Sequence, residues 1–159
     1  MAELKPGDRA PQFELPADGG GRVRLSDYAG VHLVLYFYPK DDTTGCTAEA
    51  QAFNERLAAF EAAGTRVLGL SKDSPKRHDA FKKKYGLNFP LASDETGEAL
   101  EAYGVWVEKS LYGRKYMGVE RATFLIDPLG AIRQVWRKVK VPGHAEAVLE
   151  AARSHGASS

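Results

Sequence analysis

The residues best able to do chemistry lie in one stretch, PKDDTTGCTAE, which contains Cys46, the only cysteine of the chain. A strongly apolar run stops at Pro39, and residues that favour helix follow the cysteine. We therefore expect Cys46 in the opening turn of a helix, where free N–H groups and the helix dipole favour an anion. Such a position can lower a thiol pKa from ~8.5 toward neutrality. Thr43 offers a hydroxyl that can bond a thiolate or an incoming oxygen. These residues predict a nucleophilic thiol.

The same residues also have purely structural interpretations. On a helix, one apolar face would be formed by Cys46, Ala50, Phe53, Leu57 and Phe60. Cys46 could then be a buried core residue, and Thr43 could be a helix N-cap. Asp41 and Asp42 are expected to be solvated loop acids, because carboxylates beside a thiolate oppose its ionisation.

The elements that must position these residues follow an alternating pattern. A hairpin is predicted around Asp18–Gly21. Apolar runs predict buried strands at His32–Tyr38, Thr65–Ser71 and Arg121–Asp127. Helices are predicted at Thr47–Ala63, from Ser74-Pro75 to about Tyr85, and after Pro142-Gly143. The order predicts an α/β protein with an N-terminal β-hairpin and a central sheet covered by helices on both faces.

The composition is that of a soluble globular protein, with 43% hydrophobic and 27% charged residues. We expect one domain over residues 1–159, with a frayed tail from about residue 154. A net charge of +1 without a basic stripe argues against a nucleic-acid partner. The N-terminus lacks the apolar region of a signal peptide, and no segment has the length of a membrane-spanning helix. A lone cysteine suits a reducing compartment, so we expect a cytoplasmic protein with no membrane partner.

Two long stretches and one short stretch of the sequence resemble a known family. PKDDTTGC matches the Pro-x-x-x-Thr-x-x-Cys signature of peroxiredoxins, and YFYPKDDTTGCTAEA is similar to the subgroup called bacterioferritin comigratory protein, or PrxQ. The resemblance continues through SKDS, residues 71–74, and through YGVWVEKSLYGRKYMGVERATFLID, residues 103–127. It covers nearly the whole chain.

The resemblance implies a thioredoxin-like fold with a mixed sheet, and a peroxidase without a cofactor. Cys46 would attack hydrogen peroxide or an organic hydroperoxide, Thr43 would orient the peroxide, and Pro39 would shield the pocket. Arg121 would stabilise the thiolate and the developing charge, since a guanidinium is a permanent, forked donor. Glu49, one turn beyond Cys46, could hold Arg121 in place or could be an exposed helix acid.

The sequence departs from the family pattern in three places. Thr44 replaces a common proline, and Ala122 replaces the usual Ser or Thr after the arginine. Most relatives carry a resolving cysteine, either five residues after the first, here Gln51, or in the next helix, here KRHDAFKKKYG, which has none. The sulfenic acid on Cys46 would therefore react with an external thiol: a small molecule, a thioredoxin or a glutaredoxin. Relatives are often monomers, so a monomer is expected.

Other classes of protein fit the sequence less well. A thioredoxin-type reductase needs Cys-x-x-Cys, but Thr43 and Glu49 occupy the two positions where the partner cysteine would stand. A Cys–His hydrolase needs a histidine beside the cysteine. The four histidines have no motif support and are too scattered to predict a metal site; of these, His78 is expected to be solvated in a charged helix. A binding or chaperone module with a structural cysteine is the main alternative.

Overall fold

The structure, a computed structural model, describes residues 3–156. Within that range the strands are β1 (Glu14–Pro16), β2 (Arg22–Arg24), β3 (His32–Phe37), β4 (Thr65–Ser71), β5 (Leu91–Ser93), β6 (Trp106–Leu111), β7 (Arg114–Val119), β8 (Ala122–Ile126) and β9 (Ile132–Trp136). The helices are α1 (Thr44–Glu55), α2 (Leu57–Ala62), α3 (Pro75–Tyr85), α4 (Glu98–Ala102) and α5 (His144–Gly156). None of the helices in residues 3–156 combines the length and apolar character needed to cross a bilayer.

The central sheet has five strands in the order β5-β4-β3-β8-β9. β3 runs parallel to β4, and β4 runs parallel to β5, whereas β8 lies antiparallel to both β3 and β9. Every residue of β3 is buried, as expected for a continuous apolar run covered on both faces. The predicted mixed sheet is confirmed, and so is the N-terminal hairpin, in which β1 pairs with β2.

The two faces of the sheet bury separate cores because successive side chains of each strand point to opposite faces. On one face, Leu33, Leu35 and Phe37 of β3 pack with α4 and the N-terminal hairpin. On the other face, Val34 and Tyr36 pack with buried residues of α1, α2, α3 and α5. Helices therefore cover both faces, as predicted, and the helix that contains Cys46 belongs to the second face.

The predicted helix at Thr47–Ala63 is wrong at both its start and its middle. α1 begins at Thr44, and the helical segment is interrupted at Arg56, whose φ and ψ are −108° and 8°. The Arg56 N–H bonds to the Phe53 carbonyl three residues back, which closes a tighter turn than an α-helix has. The Arg56 side chain also donates to the Ala52 carbonyl within α1 and to Glu146 of α5, so one contact outside the helix accompanies the break.

The α3 prediction is confirmed in detail: Ser74 is the N-cap, its hydroxyl accepts from the Arg77 N–H, and Pro75 is the first residue. At the other end of the chain, α5 continues to Gly156, so residues 154–156 of the predicted tail belong to this helix. The rest of the predicted tail, residues 157–159, lies outside the described residues.

The antiparallel hairpin β6–β7 was not predicted as secondary structure. Its loop is the pair Tyr112 and Gly113, with φ values of 52° and 78°. Two positive φ values are typical of a type I′ turn, which usually has Asn-Gly or Asp-Gly. A tyrosine at the first position removes that signal from the sequence.

Candidate active site

Cys46 lies in the first turn of α1, after a loop that leaves the end of β3. Thr43 is the N-cap residue of α1, with an extended backbone at φ −99° and ψ 157°. Cys46 is only 1% exposed and shares the buried face of α1 with Ala50 and Phe53. Cys46 therefore lies both at the predicted start of a helix and on its predicted apolar face. Burial alone would fit a structural cysteine, so the neighbours of the sulfur distinguish the two interpretations.

Arg121 donates a hydrogen bond to the Cys46 sulfur. It immediately precedes β8, and the antiparallel pairing of Phe37 with Ala122 brings it beside the end of β3. Its Nη2 lies 3.3 Å from Sγ, and its Nη1 lies 2.6 Å from Oε1 of Glu49. One planar guanidinium thus contacts both the thiol and a carboxylate on α1, a geometry that a lysine cannot reproduce.

Glu49 is a buried acid, not an exposed one. Its side chain is on the same helix face as Cys46, three residues further on, and is 1% exposed. Burial raises the pKa of its carboxyl to about 7, although the charge and hydrogen bond of Arg121 lower it. The second oxygen, Oε2, is also buried and has no hydrogen-bond partner among the described residues, so little stabilises a full negative charge there.

The N-cap position of Thr43 is observed, but its side chain does not cap the helix. The hydroxyl instead donates to the carbonyl oxygen of Lys40, at 2.9 Å. The oxygen of Thr43 keeps its lone pairs available at the start of α1, near the sulfur-bearing turn. Pro39 is half-buried at the beginning of this loop. Thr43, Cys46, Glu49 and Arg121 therefore belong to one region, and Pro39 begins the loop that leads into it.

Two residues expected in solvent are buried. Asp41 is 3% exposed and His78 is fully buried, with Asp41 Oδ2 only 2.6 Å from His78 Nδ1. His78 sits on the inner side of α3 with Phe81, one turn later. The spacing of His78, Phe81 and Tyr85, all on one helix face, is the sequence signal that could have indicated this. Asp42, by contrast, is exposed as expected, although its carboxylate is engaged by Lys84 and Tyr85.

One group of side chains has the composition of a metal site. Ligand atoms of Asp41, Asp73 and His78 all lie within 4.8 Å of one another. Their polar atoms are already used: Asp41 Oδ2 faces His78 Nδ1, and Asp73 Oδ2 accepts from the Asp41 N–H and from the Ser71 hydroxyl. A hydrogen-bonded network accounts for this arrangement without an ion.

Two of the histidines, His78 and His144, bond to groups other than the Cys46 thiol. His78 contacts Asp41, and Nε2 of His144 lies 2.8 Å from the hydroxyl of Thr123 in β8. Burial, followed by the nearby charge of Arg121, lowers the pKa of His144 to about 4, so this ring is neutral near pH 7. A ring with so low a pKa is a weak base, so His144 is poorly suited to deprotonate Cys46 as a hydrolase would require.

Comparison with known proteins finds relatives that match nearly the whole chain. Residues 6–135 match the AhpC/TSA family. The chain is 49% identical over 148 residues to Peroxiredoxin Bcp of Xanthomonas campestris, with 92% of each chain covered. It is 42% identical over 155 residues to Peroxiredoxin Bcp of Escherichia coli, with 98% of this chain and 99% of the relative covered. A solved structure of the X. campestris bacterioferritin comigratory protein, a trapped intermediate/ligand complex concerned with alkyl peroxide reduction, is 45% identical, with a TM-score of 0.88 over 97% of this chain and 98% of that chain.

Proposed function

The chain belongs to the AhpC/TSA family, among the bacterioferritin comigratory proteins or PrxQ, and is a thioredoxin-fold, thiol-dependent peroxidase; from this premise we propose that Cys46 is the thiol that attacks the peroxide. The observation that carries the proposal is the guanidinium of Arg121, which contacts Sγ at 3.3 Å and Glu49 at 2.6 Å. A cation held against a buried sulfur stabilises its thiolate, which a structural cysteine does not need.

The reaction proceeds in two stages: the peroxide oxidises Cys46, and external thiols then reduce it. The Cys46 thiolate attacks one oxygen of the peroxide, so that an S–O bond forms and the O–O bond breaks. The leaving oxygen takes the electron pair and a proton and departs as water or an alcohol, and the sulfur is oxidised to sulfenic acid. An external thiol then attacks that sulfur, releasing water and forming a mixed disulfide. A second thiol reduces the disulfide and restores Cys46.

Arg121 and Thr43 have complementary tasks at the reacting atoms. Arg121 stabilises the thiolate before attack and the charge on the peroxide oxygens as the O–O bond breaks. Thr43 orients the peroxide through its hydroxyl, whose hydrogen bond to Lys40 aligns the oxygen lone pairs. Glu49 holds the guanidinium in place through its 2.6 Å bond, and Pro39 shields the loop side of the pocket from water.

A family of thiol-dependent peroxidases takes a peroxide as substrate and a thiol as reductant. The chain has a single cysteine, so its reductant is an external thiol: a thioredoxin, a glutaredoxin or a small thiol. The X. campestris relative is described by its alkyl peroxide reduction activity. On that basis we infer that organic hydroperoxides are substrates here beside hydrogen peroxide. We further propose that residues 1–159 form one domain that acts as a cytoplasmic monomer.

The replacement Cys46→Ser tests the proposal directly. We expect it to abolish peroxide consumption in the presence of a dithiol and to leave the far-ultraviolet circular dichroism unchanged. The parental protein alkylated at Cys46 is the matched control, since it keeps every side chain except the free thiol, and should lose activity equally. Residual turnover above a few per cent in a folded Cys46→Ser protein would place the chemistry at another group.

A further inference from the structure

The loop that leads to Cys46 is held against α3 by two consecutive aspartates. In the first contact, here called the inner contact, Asp41 Oδ1 accepts from the Tyr38 hydroxyl at 2.6 Å, and Asp41 Oδ2 lies 2.6 Å from His78 Nδ1. In the second, the outer contact, Asp42 accepts from the Tyr85 hydroxyl at 2.6 Å and from Lys84 Nζ at 2.9 Å. His78, Lys84 and Tyr85 all belong to α3.

The inner contact is the stronger of the two because it is buried. Tyr38, Asp41 and His78 are at most 3% exposed, so water does not compete for their hydrogen bonds. The outer contact is exposed, and exposed ion pairs contribute ~1 kcal/mol or less. Asp41 also bonds through its backbone, since its N–H donates to Asp73 Oδ2 at 2.8 Å, and Asp73 in turn bonds to Ser71 and Arg77. The inner contact therefore determines where the loop lies.

His78 connects the loop to the central sheet. Its Nε2 lies 3.0 Å from the carbonyl oxygen of Ala92 in β5. A carbonyl oxygen can only accept, so Nε2 carries a hydrogen and donates it. Nδ1 then shares a proton with the carboxylate of Asp41. Because both ring nitrogens are bonded, the ring has a single orientation. That orientation sets the position of Asp41.

The position of Asp41 affects the positions of Thr43 and Cys46, the two residues of this loop and helix start that would meet the peroxide. Lys40, its neighbour, provides the carbonyl that accepts from Thr43. Asp42 has a φ of 61°, a left-handed conformation that is uncommon outside glycine, and it turns the chain into α1. Thr43 begins α1, and Cys46 follows within the first turn. A displaced Asp41 therefore moves Thr43 and the sulfur relative to Arg121, which is held separately, immediately before β8.

We propose that Asp41 and His78 are positioning residues of the peroxidase reaction, which hold residues 38–43 so that Thr43 and Cys46 face Arg121. The proposal rests on Cys46 being the attacking thiol. It has two opposite consequences. Weakening the inner contact slows attack on peroxide, because the thiolate and its donors lose alignment. It also makes the buried sulfur, 1% exposed, easier for a larger reagent to reach.

Two isosteric replacements of His78 separate its two bonds. In His78→Asn the amide nitrogen lies close to the place of Nδ1, so the bond to Asp41 is kept and that to Ala92 is lost. In His78→Gln the amide nitrogen lies close to the place of Nε2, so the bond to Ala92 is kept and that to Asp41 is lost. We expect His78→Gln to react with hydrogen peroxide about tenfold more slowly, as for loss of one bond to a charged group, and His78→Asn to lose less, because it keeps the direct bond to Asp41. Equal losses, or a larger loss in His78→Asn, would overturn the proposal.

A matched pair of tyrosine replacements provides a second test that does not depend on His78 variants folding. Tyr38→Phe removes the other bond to Asp41, whereas Tyr103→Phe removes an equally short bond, 2.6 Å, to the Pro11 carbonyl on the opposite face of the sheet. Both tyrosines are buried, so both changes cost stability. Only Tyr38→Phe is expected to slow the peroxide reaction. The same rate in the two variants would show that the effect is one of general stability.

The pH profile of Cys46 alkylation by iodoacetamide gives a readout that needs no peroxidase activity. In His78→Gln and Tyr38→Phe, we expect the midpoint of the profile to rise, because the thiolate of Cys46 is stabilised less. We also expect the rate at the high-pH plateau to increase, because iodoacetamide reaches the sulfur more easily. In Tyr103→Phe, both should stay at the parental values. Unchanged profiles in all variants would refute the positioning role. A parental protein that consumes no peroxide would instead refute the proposed function of Cys46.

Discussion

Glu49 makes the stability of the folded chain depend on pH. Its buried carboxyl has a pKa of about 7 instead of 4.5, so the folded chain binds a proton more tightly than the unfolded chain. The contribution to stability is therefore fully present below pH 4.5 and is lost as the pH rises through 7. A shift of ~2.5 pKa units at ~1.4 kcal/mol per unit corresponds to about 3 to 4 kcal/mol in all. Most of it, about 2 to 3 kcal/mol, falls between pH 5 and pH 8.

The replacement Glu49→Gln removes this titration. Between pH 5 and pH 8, we expect the free energy of unfolding of the parental protein to fall by about 2 to 3 kcal/mol relative to that of Glu49→Gln. Urea unfolding at several pH values, followed by circular dichroism, measures both curves. The matched control is Glu61→Gln, which removes an exposed carboxyl on α2 and should follow the parental curve. All variants are also made with Cys46→Ser, so that the thiol takes no part in the titration.

Parallel curves for the parental protein and Glu49→Gln would refute this reasoning. They would mean that the bond from Arg121 offsets the burial of Glu49 completely, and that the carboxyl titrates alike in the folded and unfolded chains. If the parental protein instead became more stable relative to Glu49→Gln as the pH rose, the ion pair with Arg121 would outweigh the burial of Glu49.

Two further replacements test the site itself. Arg121→Lys keeps the charge but loses the fork that reaches Sγ and Glu49 together; we expect the barrier for peroxide reduction to rise by on the order of 2–4 kcal/mol, and a parental rate in stopped-flow measurements would contradict the role of Arg121. For Gln51→Cys, we expect one equivalent of peroxide to produce an intramolecular disulfide with Cys46, seen as a loss of two hydrogens in the intact mass and a small drop in helicity. Residues five apart in a helix have Cα atoms ~8.7 Å apart, whereas a disulfide usually needs less than ~7 Å, so α1 must open first. Continued oxygen addition at Cys46 with unchanged helicity would show that α1 is too stable to open.

The sequence predicts elements well where the signal is local. The apolar run of β3 and the Ser74-Pro75 start of α3 each specify their structure within a few residues, and both predictions are confirmed. Cys46 and Thr43 are adjacent to a predicted helix start, so they too can be found from local pattern. Arg121 is different because it is 75 residues from Cys46. Without the register of β3 against β8, only the family resemblance connects the two residues.

The predictions that failed depend on contacts between distant parts of the chain. Asp41 is expected in solvent because a carboxylate beside a thiolate would oppose its ionisation, but it is buried against His78, 37 residues away. A buried acid and a buried histidine each look unfavourable alone, and only their pairing makes burial acceptable. The break at Arg56 is likewise accompanied by a distant contact, since that side chain bonds to Glu146 of α5, 90 residues along the chain.

The antiparallel pairing of β3 with β8 also determines when, during synthesis, Arg121 comes beside Cys46. If Arg121 activates Cys46 as proposed, a growing chain has an ordinary thiol until β8 has been made and paired. Translation at ~5–20 residues per second separates the two residues by several seconds. Over that interval the thiol has no guanidinium beside it and reacts slowly with peroxide. A chain that has not yet folded is thus less exposed to oxidation of its thiol. Such oxidation would proceed to irreversible forms, because there is no second cysteine to trap the sulfenic acid.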